Sequence, residues 1–438
     1  MFNASTPMMA GPGSYAGNAD QTIGEAGKQG FGVGVYGGED ADLDKMGLTP
    51  MNGCTDKTSP NYGNYQHTDG SVMCFIPAFA YRLGNAAAPS YSRDGDQALE
   101  IRDALSFDGF EPGATFKSAD LGYGWTLHRA FVDGNVVQRG FFFDKYLCSN
   151  KGGKAVSTKG ADWLMCYSGS TSYYTGSISG MVGQAYDAIT LSRARGDNFS
   201  LVTCYQWAAM SILSLAHGQA AKSTDFCAWY DSAHKTNYPK GSTNPLKDTD
   251  DSSLTFTTHA YGSIFAKTGT CSHFAKSTHN GQECGIADVA GMCNQLVVGA
   301  INPSSAYLGL MKTSVKAHDF TKDNVVTSSL HDMFNGEGDG NRYFGGLSKG
   351  NSGLAWAKCG VIPSSNGSEN PLFGNDEWHE YYGYANGLKC GLGYSWGGKS
   401  GVLCRSFRYC NRYGLHNRDG WNFSYVYSGF RAAGYAPF

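Results

Sequence analysis

Apolar and polar positions along this chain hold one period only over short runs. The first clear run is SVMCFIPAFAYR, Ser71 to Arg82, which is apolar and aromatic and predicts a strand with Pro77 at an edge or a bulge. LHRAFVDGN and VQRGFFFDKYLCSN then read as two strands around a tight turn at Asp133 and Gly134. Helical spacing comes later. Between Met181 and Arg195, Ala185, Ala188, Ile189 and Leu191 fall on mostly helical positions, and the pattern stops at Gly196. A second helix has a sharp start, because Thr203 and Gln206 form a T-x-x-Q capping box in which each side chain satisfies an orphan backbone donor. Trp207, Met210, Ile212, Leu213 and Leu215 supply its buried side. Beyond His217, residues 218 to about 284 read as irregular insertions and short strands. The remainder alternates short aromatic runs with Gly-rich turns.

Residues 1–65 are rich in Gly, Ala, Ser and Asn, with little periodicity. A terminus of this kind, with no evident core of its own, becomes ordered most readily against a partner chain. The expected organisation is therefore an attachment segment over 1–65, β-rich opening strands over 66–180, and the main body over 181–438. GVGVYG, Gly32 to Gly37, fits G-x-G-x-x-G letter for letter. It neither follows a strand nor opens a helix, so it reads as backbone packed closely on a neighbour rather than as a nucleotide site.

Composition narrows the class. Sixty Gly among 438 residues, with 13% aromatic and only 16% charged side chains, predicts a turn-rich chain, mostly β or irregular, which together with the two helical stretches gives an expected α+β class. A formal net charge of −3 gives no footprint for binding nucleic acid. No stretch reaches the roughly 18 apolar residues of a membrane span. The sequence MFNASTPMMAGPGSYAGNADQ lacks the basic and apolar regions of a signal peptide, which predicts synthesis in a cytoplasm and an external location reached by assembly or lysis. The 13 Cys show neither a CxxC pair nor a zinc-finger spacing, and are expected mostly as small buried hydrophobes.

Candidate chemistry concentrates near the C-terminus. Arg405, Phe407, Tyr409, Asn411, Tyr413, His416, Asn417, Trp421, Asn422 and Tyr425 lie in one dense run of aromatic, Arg and Asn side chains. A buried strand would be rich in Val, Ile and Leu, whereas rigid rings mixed with adaptable amides and guanidinium groups are what recognition surfaces use. These ten residues are the candidate receptor contacts. Phe430 and Arg431, which follow, are assigned to structure: the ring to the core, the guanidinium to a buried polar network. Elsewhere, Asn335, Glu337, Asp339, Gly340 and Asn341 imitate the first half of a calcium loop, but Gly346 stands where the bidentate acid belongs. DTDDSS, Asp248 to Ser253, reads as a solvated acidic turn. No HExxH or G-x-S-x-G string occurs, and no cofactor is expected.

Several strings resemble the formylglycine-generating-enzyme-like branch of the C-type-lectin-like fold. FSLVTCYQWAAM is similar to its L-P-T-x-x-E-W-E-Y-A segment, with Thr203, Gln206 and Trp207 at matching places. CGIADVAGMCNQLVVG resembles G-L-x-D-M-A-G-N-V-W-E-W, matching at Gly285, Asp288, Ala290 and Gly291, while Asn294 and Gln295 replace the final Trp-Glu. WGGK resembles R-G-G-S-W, and GFRAA resembles the closing G-F-R. The opening strands look like those of phage tail-fibre and variable receptor-binding proteins of this fold. The resemblance implies an elaborated C-type-lectin-like domain in a bacteriophage virion protein: a tail fibre or receptor-binding protein, commonly a trimer. Such a protein would bind a host-cell surface glycan or protein through its C-terminal face and other virion proteins through its N-terminal segment. Two alternatives stay open. One is a capsid or tail decoration protein. The other is an oxidoreductase, which would require Cys404 and Cys410 to be close, accessible and able to hold a soft metal such as Cu(I). The classical calcium-lectin strings are absent.

Overall fold

The structure is a computed structural model. It describes residues 22–164 and 185–358 apart from short breaks at 235, 243–245, 249, 261, 305–306, 326, 336–341 and 345–346, then strands at 366–367, 377–380, 389–393 and 415–417, and residues 428–438. The architecture is mixed α+β, with few helices and several antiparallel sheets.

A six-stranded antiparallel sheet runs in the order Leu48–Pro50, Asn64–His67, Val72–Pro77, Gly140–Asp144, Ala432–Gly434, Phe199–Leu201. The last strand of the chain is thus inserted between two much earlier ones. A nine-stranded sheet is centred on Asn294–Ser304, which pairs with Tyr307–Met311 on one side and Lys389–Gly393 on the other. The two sheets join where Thr203 bridges Val298, with Val298 N–H donating to the Val202 carbonyl at 3.0 Å.

The run from Ser71 to Arg82 is two strands. Asn64–His67 pairs with Val72–Pro77 only as far as Cys74, so among the described strands Pro77 has a partner, Gly140, on one side alone, which is locally the edge position expected for it. It ends the strand, and the chain crosses at Ala78 into a second sheet, where Phe79–Leu83 pairs with Leu99–Asp103 and Thr126–Leu127. A residue without an N–H suits a position that has a strand on one side only. The tight turn falls one residue later than expected: Asp133 pairs with Val136, leaving Gly134 and Asn135 as the loop at φ +60° and +61°. Glycine and asparagine tolerate that left-handed pair best.

The two expected helices form as Ala185–Arg193 and Cys204–Ala220. In the capping box, Thr203 Oγ1 accepts from Gln206 N–H at 3.1 Å and Gln206 Oε1 accepts from Thr203 N–H at 2.9 Å. The second helix is buried on all sides from Cys204 to Gln219 rather than on one face, because it runs through the middle of the body.

From Thr22 onward the Gly-rich N-terminal stretch is ordered against its own chain. Ile23, Phe31 and Val33 are fully buried in the main apolar cluster. That same cluster takes Phe79 and Phe141 from the opening strands and Leu213, Val297 and Phe430 from the body, so the three expected parts share one core. Gly32 explains one feature of the G-x-G-x-x-G string. It sits at φ +83°, and a Cβ there would lie 2.8 Å from His279 Nε2.

Two buried histidines hold this stretch. His217 Nδ1 accepts from Gly27 N–H at 3.0 Å, and its Nε2 faces the Phe226 carbonyl at 2.8 Å. His279 Nδ1 accepts from Ile286 N–H at 3.0 Å, and its Nε2 faces the Gly32 carbonyl at 3.1 Å. Each ring is therefore the neutral Nε2–H tautomer. Burial pushes their pKa values down, His217 to about 4 and His279 to about 3, with His128 at about 3 and His331 at about 4. Because the folded values lie below the unfolded one, this stability is fully present above about pH 6.5 and is lost as pH falls toward 4. Asp103 and Asp133 oppose the trend, since burial raises both to about 6. Burial raises Asp248 and Asp288 as well, but His234 and His259 are lowered alongside the four rings and Asp69 is lowered too, so the histidines set the sign. We predict that urea melts at pH 4.5 show at least about 2 kcal/mol less stability than at pH 7; a flat profile would contradict the neutral assignment.

Candidate functional site

Most of the expected recognition residues, namely Arg405, Phe407, Tyr409, Asn411, Tyr413, Trp421, Asn422 and Tyr425, lie outside the described residues, as do Cys404 and Cys410. His416 and Asn417 fall in the strand Leu415–Asn417. That strand pairs antiparallel with Lys389–Gly393 and parallel with Glu377–Glu380, within the nine-stranded sheet. What the structure defines closely is the frame that carries this stretch.

The frame centres on Gln295. On one side of it Gly393 is its strand partner, and on the other Gly429 is. The chain thus stands on one side of Gln295 at Gly393 and on the other at Gly429, with the strand Leu415–Asn417 of the same sheet between them in sequence. The return is fixed by the Gly429-Phe430-Arg431 sequence. Phe430 is buried in the main core, and its carbonyl accepts from Cys148 N–H at 2.9 Å. Arg431, also buried, donates from Nε to Gln295 Oε1 at 2.7 Å, from Nη1 to the carbonyls of Lys145 at 2.9 Å and Asp144 at 3.1 Å, and from Nη2 to the carbonyls of Ala287 at 2.6 Å and Asp288 at 3.3 Å. These are the structural roles expected for both residues.

Gln295 was read in the sequence only as a departure. In the structure its amide works in both directions, accepting from Arg431 and donating from Nε2 to the Asp288 carbonyl at 3.0 Å. A carboxylate at that position could only accept. The signal for it was its place in CGIADVAGMCNQ, seven residues after Asp288. Asp288 itself is buried at φ +54°, and its Oδ2 accepts from Thr268 Oγ1 and Gly269 N–H, both at 2.7 Å. Beside this cluster, Asp144 accepts from Ala432 N–H at 2.8 Å and pairs with buried Arg195 at 2.5 Å.

Other candidates resolve into structure. Asp248 is not a solvated acid: it is buried, and its carboxylate accepts from the N–H groups of Gly241, Asp250 and Asp251 at 2.8–2.9 Å. Glu337, Asp339, Gly340 and Asn341 of the calcium-like string lie outside the described residues. Among the described residues, no group of three or more His, Cys, Asp or Glu is placed to hold a metal ion, and no helix is long and apolar enough to cross a membrane. Cys54, Cys74, Cys148, Cys204, Cys227, Cys271, Cys284 and Cys293 are buried. Burial pushes the thiols of Cys74, Cys204 and Cys271 up to about 12, which keeps them protonated near neutral pH. No family model matches this sequence, and no curated protein is similar to it.

The frame makes a direct claim on stability. Arg431→Lys retains the charge but not the fork of donors that reaches two separate stretches of backbone and the Gln295 side chain. We predict a loss of about 3 kcal/mol on urea denaturation, as expected when a buried ionic network is left partly unsatisfied. A loss below about 1 kcal/mol would mean that the guanidinium is not the clasp of the frame.

Proposed function

We propose that this chain is a bacteriophage virion protein, a tail fibre or receptor-binding protein, whose C-type-lectin-like body presents the stretch Arg405–Tyr427 to a host-cell surface glycan or protein. The observation that carries the reading is the pairing of Gly393 and Gly429 on opposite sides of Gln295. A stretch dense in Tyr, Trp, Arg and Asn is attached at both ends to one residue of a packed sheet, the arrangement by which binding loops are positioned on rigid scaffolds.

Three further features support the lectin-like body. The helix Cys204–Ala220 carries the capping box within the matching string, the closing Gly-Phe-Arg is buried as a clasp, and the final strand returns among the opening strands. Binding here needs no chemistry at the contact. Aromatic rings supply area at low entropy cost, and repetition of weak sites on one particle raises avidity. Attachment to other virion proteins is assigned to the N-terminal segment, whose residues from Thr22 onward are fastened into the body by Phe31 and the two histidines, so that force on the segment reaches the binding face through packed structure.

The test compares binding of the wild type and a variant with Tyr409, Asn411, Tyr413 and Trp421 all changed to Ala to intact candidate host cells. Loss of at least tenfold in binding by a variant whose thermal midpoint is unchanged is the expected result. Equal binding by both proteins would remove the terminal stretch from recognition. Assembly of both onto particles without binding to any cell would identify a decoration protein instead.

A further inference from the structure

Lys145 directly follows the strand Gly140–Asp144 and is buried, yet the groups it touches carry no charge. Its Nζ lies 2.6 Å from Asn64 Oδ1, 2.7 Å from the Glu283 carbonyl and 3.2 Å from the Pro60 carbonyl, while the Glu283 side chain itself is exposed. By contrast, buried Arg195 pairs with the carboxylates of Asp69 and Asp144. A cation held by neutral oxygens alone is poorly compensated for the water it has lost. A guanidinium in such a place stays charged, as Arg431 does, whereas a lysine can shed its proton. Burial accordingly pushes the pKa of Lys145 down and favours the free amine. A desolvated amine is a nucleophile.

The group it faces is a carboxamide that cannot turn away. Asn64 opens the strand Asn64–His67 and is fully buried. Its Nδ2 donates to the carbonyls of Tyr62 at 2.8 Å and Cys284 at 2.9 Å, which leaves the carbonyl end of the amide turned to Lys145. The strand Val72–Pro77 lies between the two, and its Cys74 pairs with Asn64 on one side and with Phe143 on the other. Cys74 Sγ, fully buried, is 3.5 Å from Asn64 Nδ2. Nucleophile, carbonyl and a thiol able to carry a proton are thus fixed together away from water, where an intramolecular reaction gains most from proximity.

We propose that Lys145 and Asn64 become joined by an isopeptide bond, a covalent modification site built from none of the C-terminal recognition residues. The inference goes beyond the receptor reading and does not rest on it. Lys145 Nζ forms a bond to Asn64 Cγ, the bond from Cγ to Nδ2 breaks, and ammonia leaves. The amine gives up one proton and the leaving nitrogen takes one up, with the Cys74 thiol as the carrier in contact with that nitrogen. An amide is exchanged for an amide, so no oxidant or reductant enters, and escape of ammonia into solvent makes the exchange one-way. The product ties together residues 81 apart in sequence, across the Val72–Pro77 member of the six-stranded sheet.

The test is intact mass spectrometry of the full chain beside Lys145→Arg, which keeps the charge and cannot form the bond, followed by tryptic digestion of both under reducing conditions. The wild type is expected about 17 Da below the mass its sequence requires, the loss of one ammonia, with Lys145→Arg at its full mass. Digestion of the wild type should yield one branched peptide in which residues 58–82 are joined to residues 140–151, with no cleavage after Lys145. The wild-type digest decides even where Lys145→Arg does not fold. Asn64 and Lys145 in separate peptides of unreduced mass overturn the proposal. A loss of the same size confined to one linear peptide, as cyclisation at Asn52-Gly53 or Asn280-Gly281 would give, overturns it equally.

Discussion

The fold depends on one buried cation. Taking a guanidinium out of water costs several kcal/mol, and the cost is offset only when its donors find acceptors. Arg431 finds them at the Gln295 side chain and at carbonyls of residues 144–145 and 287–288. Those groups belong to the six-stranded sheet, to the turn before the nine-stranded sheet, and to the start of its central strand. Arg431 is thus the point at which both sheets are registered against each other. Asp144 extends the node, since its carboxylate takes Ala432 N–H and the Arg195 guanidinium while its own carbonyl serves Arg431.

What could be read in the sequence was local. The capping box at Thr203 and Gln206, the stop at Gly196 and the turn near Gly134 each involve residues within four positions of one another, and each formed within two residues of its expected place. The N-terminal stretch could not be read this way. Its partners, His217, His279 and Asn280, lie 190 to 249 residues away, and no period in a Gly-rich segment points that far. Pro77 was legible as an edge position, whereas the division of its apolar run between two sheets was not, because that depends on strands far away in sequence. Asp248 looked solvated because its neighbours are acidic, whereas its carboxylate turned inward to three backbone N–H groups.

The candidate sites divide along the same line. The aromatic, Arg and Asn stretch was legible because its composition departs from that of a core. The frame that carries it was half legible: Phe430 and Arg431 were assigned correctly, while Gln295 passed as a substitution with something missing. The cavity beside Arg93 and His234 left no trace at all. Lined also by Leu215, Gly218 and Asn237 at the C-terminal end of the helix Cys204–Ala220, it is assembled from three stretches of the chain, none with a motif, which only the folded geometry brings together.

Both described ends of the chain close on one loop. On one flank of Thr278–Asp288, Gly30 N–H donates to Gln282 Oε1 at 2.7 Å, Asn280 donates to the Phe31 carbonyl at 2.7 Å, and His279 faces the Gly32 carbonyl. On the other, Arg431 takes the carbonyls of Ala287 and Asp288. Lys145, buried beside it, donates to the Glu283 carbonyl at 2.7 Å and to Asn64 Oδ1 at 2.6 Å, which joins the two flanks. Buried amides and carbonyls of this kind are costly when unsatisfied, so neither end can let go without exposing groups that the other holds. A Gly-rich beginning and an aromatic-rich ending, unlike in every local respect, are thereby parts of one cooperative unit.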